Sequence, residues 1–313
     1  MRKHHLALAA IILILHSVFV LAVPTLDVGL MIDGAGDVIS YVGWPLLFEV
    51  SFANQGAIND SLYNQSIETE LAELEDLVAS GDITETEAEQ FRETLILRHI
   101  EPVVLGAVDL PWTELVSFES PDGILLWPIE LLAEDVPPAI TLAETGAALA
   151  WYGVDAEGSV EVAPGIYEIS LMVSTAGIAT VPEGMWTGKS VSSPVRIEIR
   201  VEPELTDELL LRKGIVYGRY DLYRGAFESA KDYLLDAVAL DPISLEAWVL
   251  LGETQYSLGD LDDALDSFFQ ALDIEAQEPP DPRQTAEPPD YLLIRIAQIQ
   301  RELGLTPSSE SES

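Results

Sequence analysis

The chain of 313 residues contains no cysteine and only four histidines. Without cysteine it can form neither a disulfide bond nor a thiolate metal site, and it cannot carry a lipid on an N-terminal cysteine. Three of the histidines lie within the first 16 residues, so the rest of the chain has only His99. Catalytic triads and histidine-rich zinc sites therefore lack their components. The sequence predicts a protein that is not an enzyme and that holds neither a metal nor a cofactor.

Basic residues are also scarce, since 15 lysines and arginines stand against 54 aspartates and glutamates and give a net charge of −39. A surface of this kind repels phosphate groups and anionic lipid headgroups. We therefore expect no binding to nucleic acid and no electrostatic attachment to a membrane. Apolar residues still make up 48% of the chain, which is enough for hydrophobic cores, and the length suggests two domains.

The longest apolar run lies at the N-terminus, between "MRKHH" and "VLA". A basic start, an apolar stretch and small residues at Val20 and Ala22 are typical of a secretory signal peptide, which we predict over residues 1–22. The alternative is an uncleaved membrane anchor, because the apolar stretch reaches the short end of a spanning helix. Cleavage predicts an exported protein, periplasmic, at the cell surface or extracellular, whose mature chain begins at Val23.

Over residues 23–202 the apolar residues recur with a period of two. In "YEISLMV" Tyr167, Ile169 and Leu171 share one face, and "VRIEIRV" and "LLFEVSF" alternate in the same way. This alternation predicts half-buried strands, and further candidates are "TLDVGLMI", "VVLGAV", "LVSF", "ILLW" and "ALAWYGV". Seven or eight short strands separated by turns favour an antiparallel β-sandwich. The segment "APGIYEISLMV" resembles strand F of immunoglobulin-like domains, which implies an immunoglobulin-like sandwich without the cysteine pair of antibodies.

A helical period interrupts these strands between residues 66 and 99. Ile67, Leu71 and Leu74 recur at helical steps, and Thr84 begins a capping box for a second helix. The pattern predicts a helical hairpin inserted into the sandwich. The segment "LEDLVASGDITETEAEQF" is similar to a helical-hairpin module that mediates association in bacterial proteins. The preferred interpretation is an insertion that covers a sheet edge.

After residue 202 the period becomes helical, and segments 211–244 and 245–278 align without a gap as two 34-residue units. The small residues that they share are Gly218, Ala230 and Ala237 in the first unit and Gly252, Ala264 and Ala271 in the second. This pattern resembles the tetratricopeptide repeat, in which small residues let two antiparallel helices cross closely. The resemblance implies an all-α tetratricopeptide solenoid over residues 203–305. Its capping helix is "YLLIRIAQIQRELG", and the tail 306–313 is disordered by composition.

Tetratricopeptide modules bind a peptide or a partner's helix in a groove lined by their first helices, so the resemblance implies a role in protein–protein interaction. The groove positions fall here on Arg212, Ile215, Arg219, Leu222, Tyr223, Glu246, Val249, Glu253, Tyr256 and Ser257. Among these, we predict that the partner-binding residues are Arg212, Arg219, Tyr223, Glu253 and Tyr256. The two arginines suit an acidic group on the partner. Alternatively, they neutralise nearby acids, and the repeats only dock on the sandwich.

The favoured function is therefore that of an exported, non-catalytic scaffold that binds a protein or peptide partner. A carbohydrate-binding or surface-adhesion sandwich, with the repeats as a spacer, stays open as the alternative. That alternative needs exposed aromatic platforms, for which Trp112, Trp127, Trp151 and Trp186 are candidates. A hydrolase that uses only carboxylates is a third possibility and needs two carboxyl groups about 5 to 9 Å apart in a cleft.

Overall fold

The computed structural model describes residues 26–54, 74–75, 77–80, 83–86, 88–89, 102–133, 136–142, 146–276 and 291–305. The predicted signal peptide, the predicted disordered tail and His99 lie outside these ranges, as does most of the predicted helical hairpin. The hairpin residues that are described at 77–80, 85–86 and 88–89 have helical backbone. Within the described ranges, no helix has the length and apolar character needed to cross a membrane.

The described residues between 26 and 202, here called the β-rich region, form short strands. They are β1 (Leu26–Ile32), β2 (Asp37–Tyr41), β3 (Leu46–Asn54), β4 (Val103–Leu105), β5 (Val116–Ser120), β6 (Gly123–Ile124), β7 (Glu130–Leu131), β8 (Ile140–Leu142), β9 (Ala147–Val154), β10 (Gly165–Ser174), β11 (Lys189–Val191) and β12 (Val195–Arg200). Every strand predicted from alternation is present, although "ILLW" contributes only one residue to β6. The sequence did not predict β2, β7, β8 and β11, because two to five residues are too few for a clear alternation.

The strands form two larger antiparallel sheets and one small one. The first sheet has the order β1-β3-β9-β7, and the second has the order β2-β12-β10-β5-β6 with β11 paired to β10. Strands β4 and β8 form a separate two-stranded sheet, whose side chains pack in the same core. One pair departs from the predicted antiparallel arrangement, because β2 runs parallel to β12.

The two larger sheets share one hydrophobic core. Phe48 and Phe52 of β3 are fully buried in it, as are Ile169 and Leu171 of β10. These are the residues that the period of two assigns to inward faces. Just before β10 enters the core, the Tyr167 hydroxyl donates a hydrogen bond to the carbonyl of Ala163 at 2.7 Å. The turn that leads into the strand is thereby fixed to the strand itself.

The helical region consists of α1 (Asp207–Tyr223), α2 (Phe227–Leu240), α3 (Leu245–Leu258), α4 (Leu261–Glu275) and α5 (Tyr291–Glu302). Each predicted 34-residue unit contains an antiparallel helix pair, α1 with α2 and α3 with α4. The turns inside both pairs contain a glycine with positive φ, 79° at Gly225 and 82° at Gly259. A left-handed conformation is available to glycine at little cost, so both units reverse direction at the same place.

The small residues lie where the helices of each pair cross, as the spacing predicts. A Cβ on Gly218 would lie 2.5 Å from Cγ of Leu234, and one on Gly252 would lie 3.0 Å from the Phe268 ring. Ala264 is fully buried beside that ring. Larger side chains would separate the helices, because interiors packed at this density have no room for another methyl group.

Helix α1 also packs on the outer face of the first sheet. The Tyr220 ring lies over Gly153 of β9, where a Cβ would come within 2.5 Å of it. One helical turn away, Tyr223 stacks on Trp151 of β9 with ring centroids 4.7 Å apart and an interplanar angle of 19°. The first sheet therefore packs on the second sheet through one face, and α1 covers part of its other face.

Candidate functional site

Three of the five predicted partner-binding residues lie on α1 and contact the β-rich region. The Arg219 guanidinium donates to the carbonyl of Asp33 at 2.8 Å and pairs with Glu246 of α3. Arg212 donates to the carbonyl of Ile39, and Tyr223 stacks on Trp151. These contacts hold α1 against the β-rich region, and Arg219 is in addition paired with an acidic residue. On the β-rich region both arginines bind backbone carbonyl oxygens, whose positions cannot be read from the pattern of acidic residues.

A second set of contacts, here called the junction cluster, fixes the start of α1 to the strands. It consists of Trp44, Leu209 and Val216, which are buried, with Tyr41 and Tyr217 packed against them. The Trp44 indole N–H donates to Oε1 of Glu202 at 2.7 Å, and Nζ of Lys213 lies 2.8 Å from the same oxygen. The hydrogen bond from Lys213 lowers the pKa of Glu202. Glu202 is therefore held ionised between two donors from the two regions.

Asp33 lies where the turn after β1 meets α1. Its backbone has a φ of 48°, and its carboxylate accepts a hydrogen bond from the amide of Leu47 at 3.3 Å. Burial raises the pKa of Asp33 to about 6, and the nearby charges of Arg219 and Arg212 only partly oppose that rise. The fold thus binds a proton at this carboxyl more readily than the unfolded chain does.

We expect Asp33→Asn to stabilise the protein at pH 7.5 and to have little effect at pH 4. Above pH 6 the wild-type carboxylate is charged and lowers the free energy of unfolding. As the pH falls towards 4 the folded chain takes up the proton first and this penalty disappears. The gain at pH 7.5 should be about 1 to 3 kcal/mol, measured by urea unfolding at a series of pH values. Asp122→Asn, in an exposed turn, is the control, and a stability difference independent of pH at Asp33 would contradict the prediction.

The remaining two predicted residues, Glu253 and Tyr256, lie on α3 and contact α5. The two carboxylate oxygens of Glu253 accept from Nε and Nη2 of Arg295, each at 2.8 Å, and Tyr291 donates to the same carboxylate. The Tyr256 hydroxyl donates to Glu302 at 2.9 Å and accepts from Gln298 at 2.7 Å. The structure therefore places the five predicted residues in two groups, one against the strands and one against the last helix.

Part of the surface of α3 and α5 stays exposed beside these contacts. We call it the inner helix surface and define it by Glu246, Ser257, Tyr291 and Ile294, which are exposed. Tyr291 and Ile294 are three residues apart on one helix and lie on the same face. The surface combines a carboxylate, a hydroxyl and two large apolar side chains.

The four candidate tryptophans do not form an exposed aromatic platform. Trp112 and Trp186 are buried in the core of the β-rich region, and Trp112 donates its indole N–H to the carbonyl of Pro137 at 3.0 Å. Trp127 and Trp151 are half-buried, and each packs against a tyrosine ring, Trp127 against Tyr167 and Trp151 against Tyr223. The carbohydrate-binding alternative gains no support from these positions.

Sequence reasoning missed an apolar pocket of about 350 Å³, here called the edge pocket, beside the end of α1. The described residues that line it carry no charge and are Trp112, Leu131, Ala133, Val136, Pro137, Ile140, Ala148, Leu149, Ala150, Trp151 and Tyr223. The signal was present in "ALAWYGV", which is apolar on both faces instead of one. A strand that is apolar on both faces has to be covered on both sides, so this segment already indicated that a second structural element packs on it.

Comparisons with known proteins place the chain in no family. No family model matches it, and no curated protein is similar to it. A solved variant of MamA is 23% identical over 32% of this chain and 72% of its own, with a TM-score of 0.25. A family 123 glycoside hydrolase from Clostridium perfringens is 11% identical over 67% of this chain, with a TM-score of 0.26, and the match spans only 36% of the hydrolase. Likenesses this low carry no conclusion about function.

Proposed function

We propose that this chain is an exported, non-catalytic scaffold that binds a partner protein, with a tetratricopeptide module docked on an immunoglobulin-like sandwich. The observation that carries the proposal is the repeated helix pair. Helices α2 and α4 begin 34 residues apart, at Phe227 and Leu261, and the turn glycines Gly225 and Gly259 have the same spacing. Proteins built from such repeats bind partners through side chains on successive first helices. The hydrogen bond from the Tyr167 hydroxyl to the turn before β10 supports the sandwich. Immunoglobulin-like domains have a similar bond, the tyrosine corner, from a tyrosine hydroxyl to the backbone a few residues upstream.

The contact between α1 and the β-rich region determines which part of the repeat surface stays accessible to a partner. Arg219 and Tyr223 are committed to the strands, so the accessible part is the inner helix surface on α3 and α5. Ile294 is 54% exposed there, so burial of the exposed half of this side chain stabilises a complex by about 1 kcal/mol. We propose that a peptide or a helix of the partner buries Ile294 and Tyr291.

A photo-crosslinking amino acid tests this proposal in cells that produce the protein. Placed at Ile294, it should give one or a few defined adducts in the envelope fraction. Placed at Ile243, which is 75% exposed in the turn between α2 and α3, it should not give those adducts. The adducts should disappear when Ile294 carries the crosslinker and Tyr291 is replaced by arginine. The same adducts from both positions, or none from Ile294, would count against a partner site on this surface.

A further inference from the structure

Strand β9 has one edge that β7 covers only in part. Along its whole length, from Ala147 to Val154, β9 pairs with β3 on one side. On the other side β7 reaches only Gly153 and Tyr152, and the last bond is from the amide of Leu132 to the carbonyl of Trp151 at 2.9 Å. In the described part of the chain, no strand continues this pairing toward Ala147.

The free edge presents the backbone of Leu149. Because Trp151 bonds to Leu132, its amide and carbonyl face away from β3, and every second residue of a strand faces the same way. The alternate residues face β3 instead: the carbonyl of Gly146 accepts a hydrogen bond from the amide of Asn54 at the end of β3, which confirms the assignment. Leu149 therefore directs an N–H and a C=O away from the sheet, and its side chain is 51% exposed.

The edge pocket lies directly beside this free backbone. After β7 the chain leaves β9, and Ala133, Val136 and Pro137 form the far wall of the pocket. Leu149 and the stacked rings of Trp151 and Tyr223 form the near wall. A backbone edge next to a cavity whose described lining is apolar is the combination that strand-adding recognition uses, with main-chain bonds for affinity and a pocket for a side chain.

The charges around the pocket are mainly negative. Glu49 is the direct cross-strand neighbour of Trp151. Burial raises the pKa of Tyr223, and the nearby carboxylates of Glu49 and Glu253 raise it further. Arg219 opposes that rise and is paired with Glu246, and Glu253 is paired with Arg295. Among these described residues, the charge of Glu49 is the one that no ion pair offsets. In a chain with a net charge of −39, an acidic ligand would be repelled at this position.

We propose that an extended segment of a partner protein adds to β9 next to β7, pairs with the backbone of Leu149 and inserts one large apolar side chain into the edge pocket. The segment carries lysine or arginine on either side of the apolar residues and no acidic residue. This site lies on the β-rich region and goes beyond the proposed function, because it does not depend on the inner helix surface.

Synthetic peptides test the proposal with the full-length protein. The probes are fluorescein-labelled seven-residue peptides with lysine at both ends, valine and threonine between, and leucine, isoleucine, phenylalanine or tryptophan at the centre. Fluorescence polarisation should detect binding of at least one probe, and replacement of its central residue by aspartate should weaken binding at least tenfold. Absence of binding by all four probes would overturn the proposal.

Backbone methylation then distinguishes strand addition from simple insertion of a side chain. A strand that pairs on one edge uses the N–H groups of alternate residues. N-methylation of one alternating set should therefore weaken the best probe at least tenfold, whereas methylation of the other set should be tolerated. Equal affinities of both methylated peptides and the parent would show that no strand is added and would overturn the proposal.

Protein variants locate the bound peptide. Leu149→Arg places a cation and a longer side chain at the rim of the pocket and should weaken the best probe at least tenfold. Ile166→Arg, at a β10 position that is 60% exposed, is the matched control and should bind as the wild type does. Thermal unfolding checks that both variants are folded. Unchanged affinity of Leu149→Arg would overturn the proposal, and loss of binding in an Ile294→Arg variant alone would place the peptide on the inner helix surface.

Discussion

Replacing Phe268 by alanine is expected to lower the free energy of unfolding of the helical region by about 3 to 5 kcal/mol. Phe268 is fully buried and fills the space where α4 crosses α3, against Gly252 and Ala264. It also packs in the cluster that holds α5 to the repeats through Ile296. Removal of the ring leaves a cavity that Gly252, with no side chain, cannot fill.

The adjacent phenylalanine provides a matched control. Phe269 is 38% exposed, so Phe269→Ala removes the same atoms from the same helix and should cost less than about 1 kcal/mol. Urea unfolding followed by the helical circular dichroism signal measures both variants. Similar losses for the two would mean that the faces of α4 are assigned wrongly, and with them the register of the 34-residue units.

Replacing Trp44 by alanine is expected to cost about 3 to 5 kcal/mol and to separate the unfolding of the two regions. Trp44 is the fully buried centre of the junction cluster, next to Leu209 and Val216 of α1. Its loss also removes one donor from Glu202. We expect one cooperative transition in the wild type and two in the variant, with the helical signal and the tryptophan fluorescence changing at different urea concentrations.

Trp127→Ala is the control for this prediction, because Trp127 is half-buried on the β-rich region and packs against Tyr167. It should lower the urea midpoint of the single transition, with the helical signal and the tryptophan fluorescence still changing together. A single transition in the Trp44 variant, at any stability, would show that the remaining contacts of α1 couple the regions without this cluster.

The contacts of α1 with the β-rich region have a consequence for recognition, since Arg212, Arg219 and Tyr223 are among the predicted groove positions. Arg219 and Tyr223, predicted to bind a partner, contact the β-rich region of the same chain, and Tyr223 also lines the edge pocket. The accessible surfaces are then the inner helix surface and the free edge of β9 with its pocket. The variants described above allow each to be tested while the other is intact.

Local sequence determined the elements and the inward faces of the strands. Alternation over "LLFEVSF" and "YEISLMV" placed Phe48, Phe52, Ile169 and Leu171 inside correctly, because a strand's side chains must alternate between the core and the other face. The same rule was wrong for Val201, which lies beyond the end of β12 and is exposed. The 34-residue repeat likewise placed the small residues at the helix crossings, because the helices approach there too closely for a larger side chain.

Only the tertiary structure decided the partners of residues distant in sequence. A period of two does not state which strands are neighbours, so the parallel pairing of β2 with β12 and the free edge of β9 could not be predicted. Helical spacing put Arg212 and Arg219 on one face of α1 but did not reveal that the carbonyls of Ile39 and Asp33 lie opposite. The periodicity of a segment shows which of its faces is apolar. The element that packs against its other face comes from a distant part of the chain, and this packing determines which surfaces stay accessible to a partner.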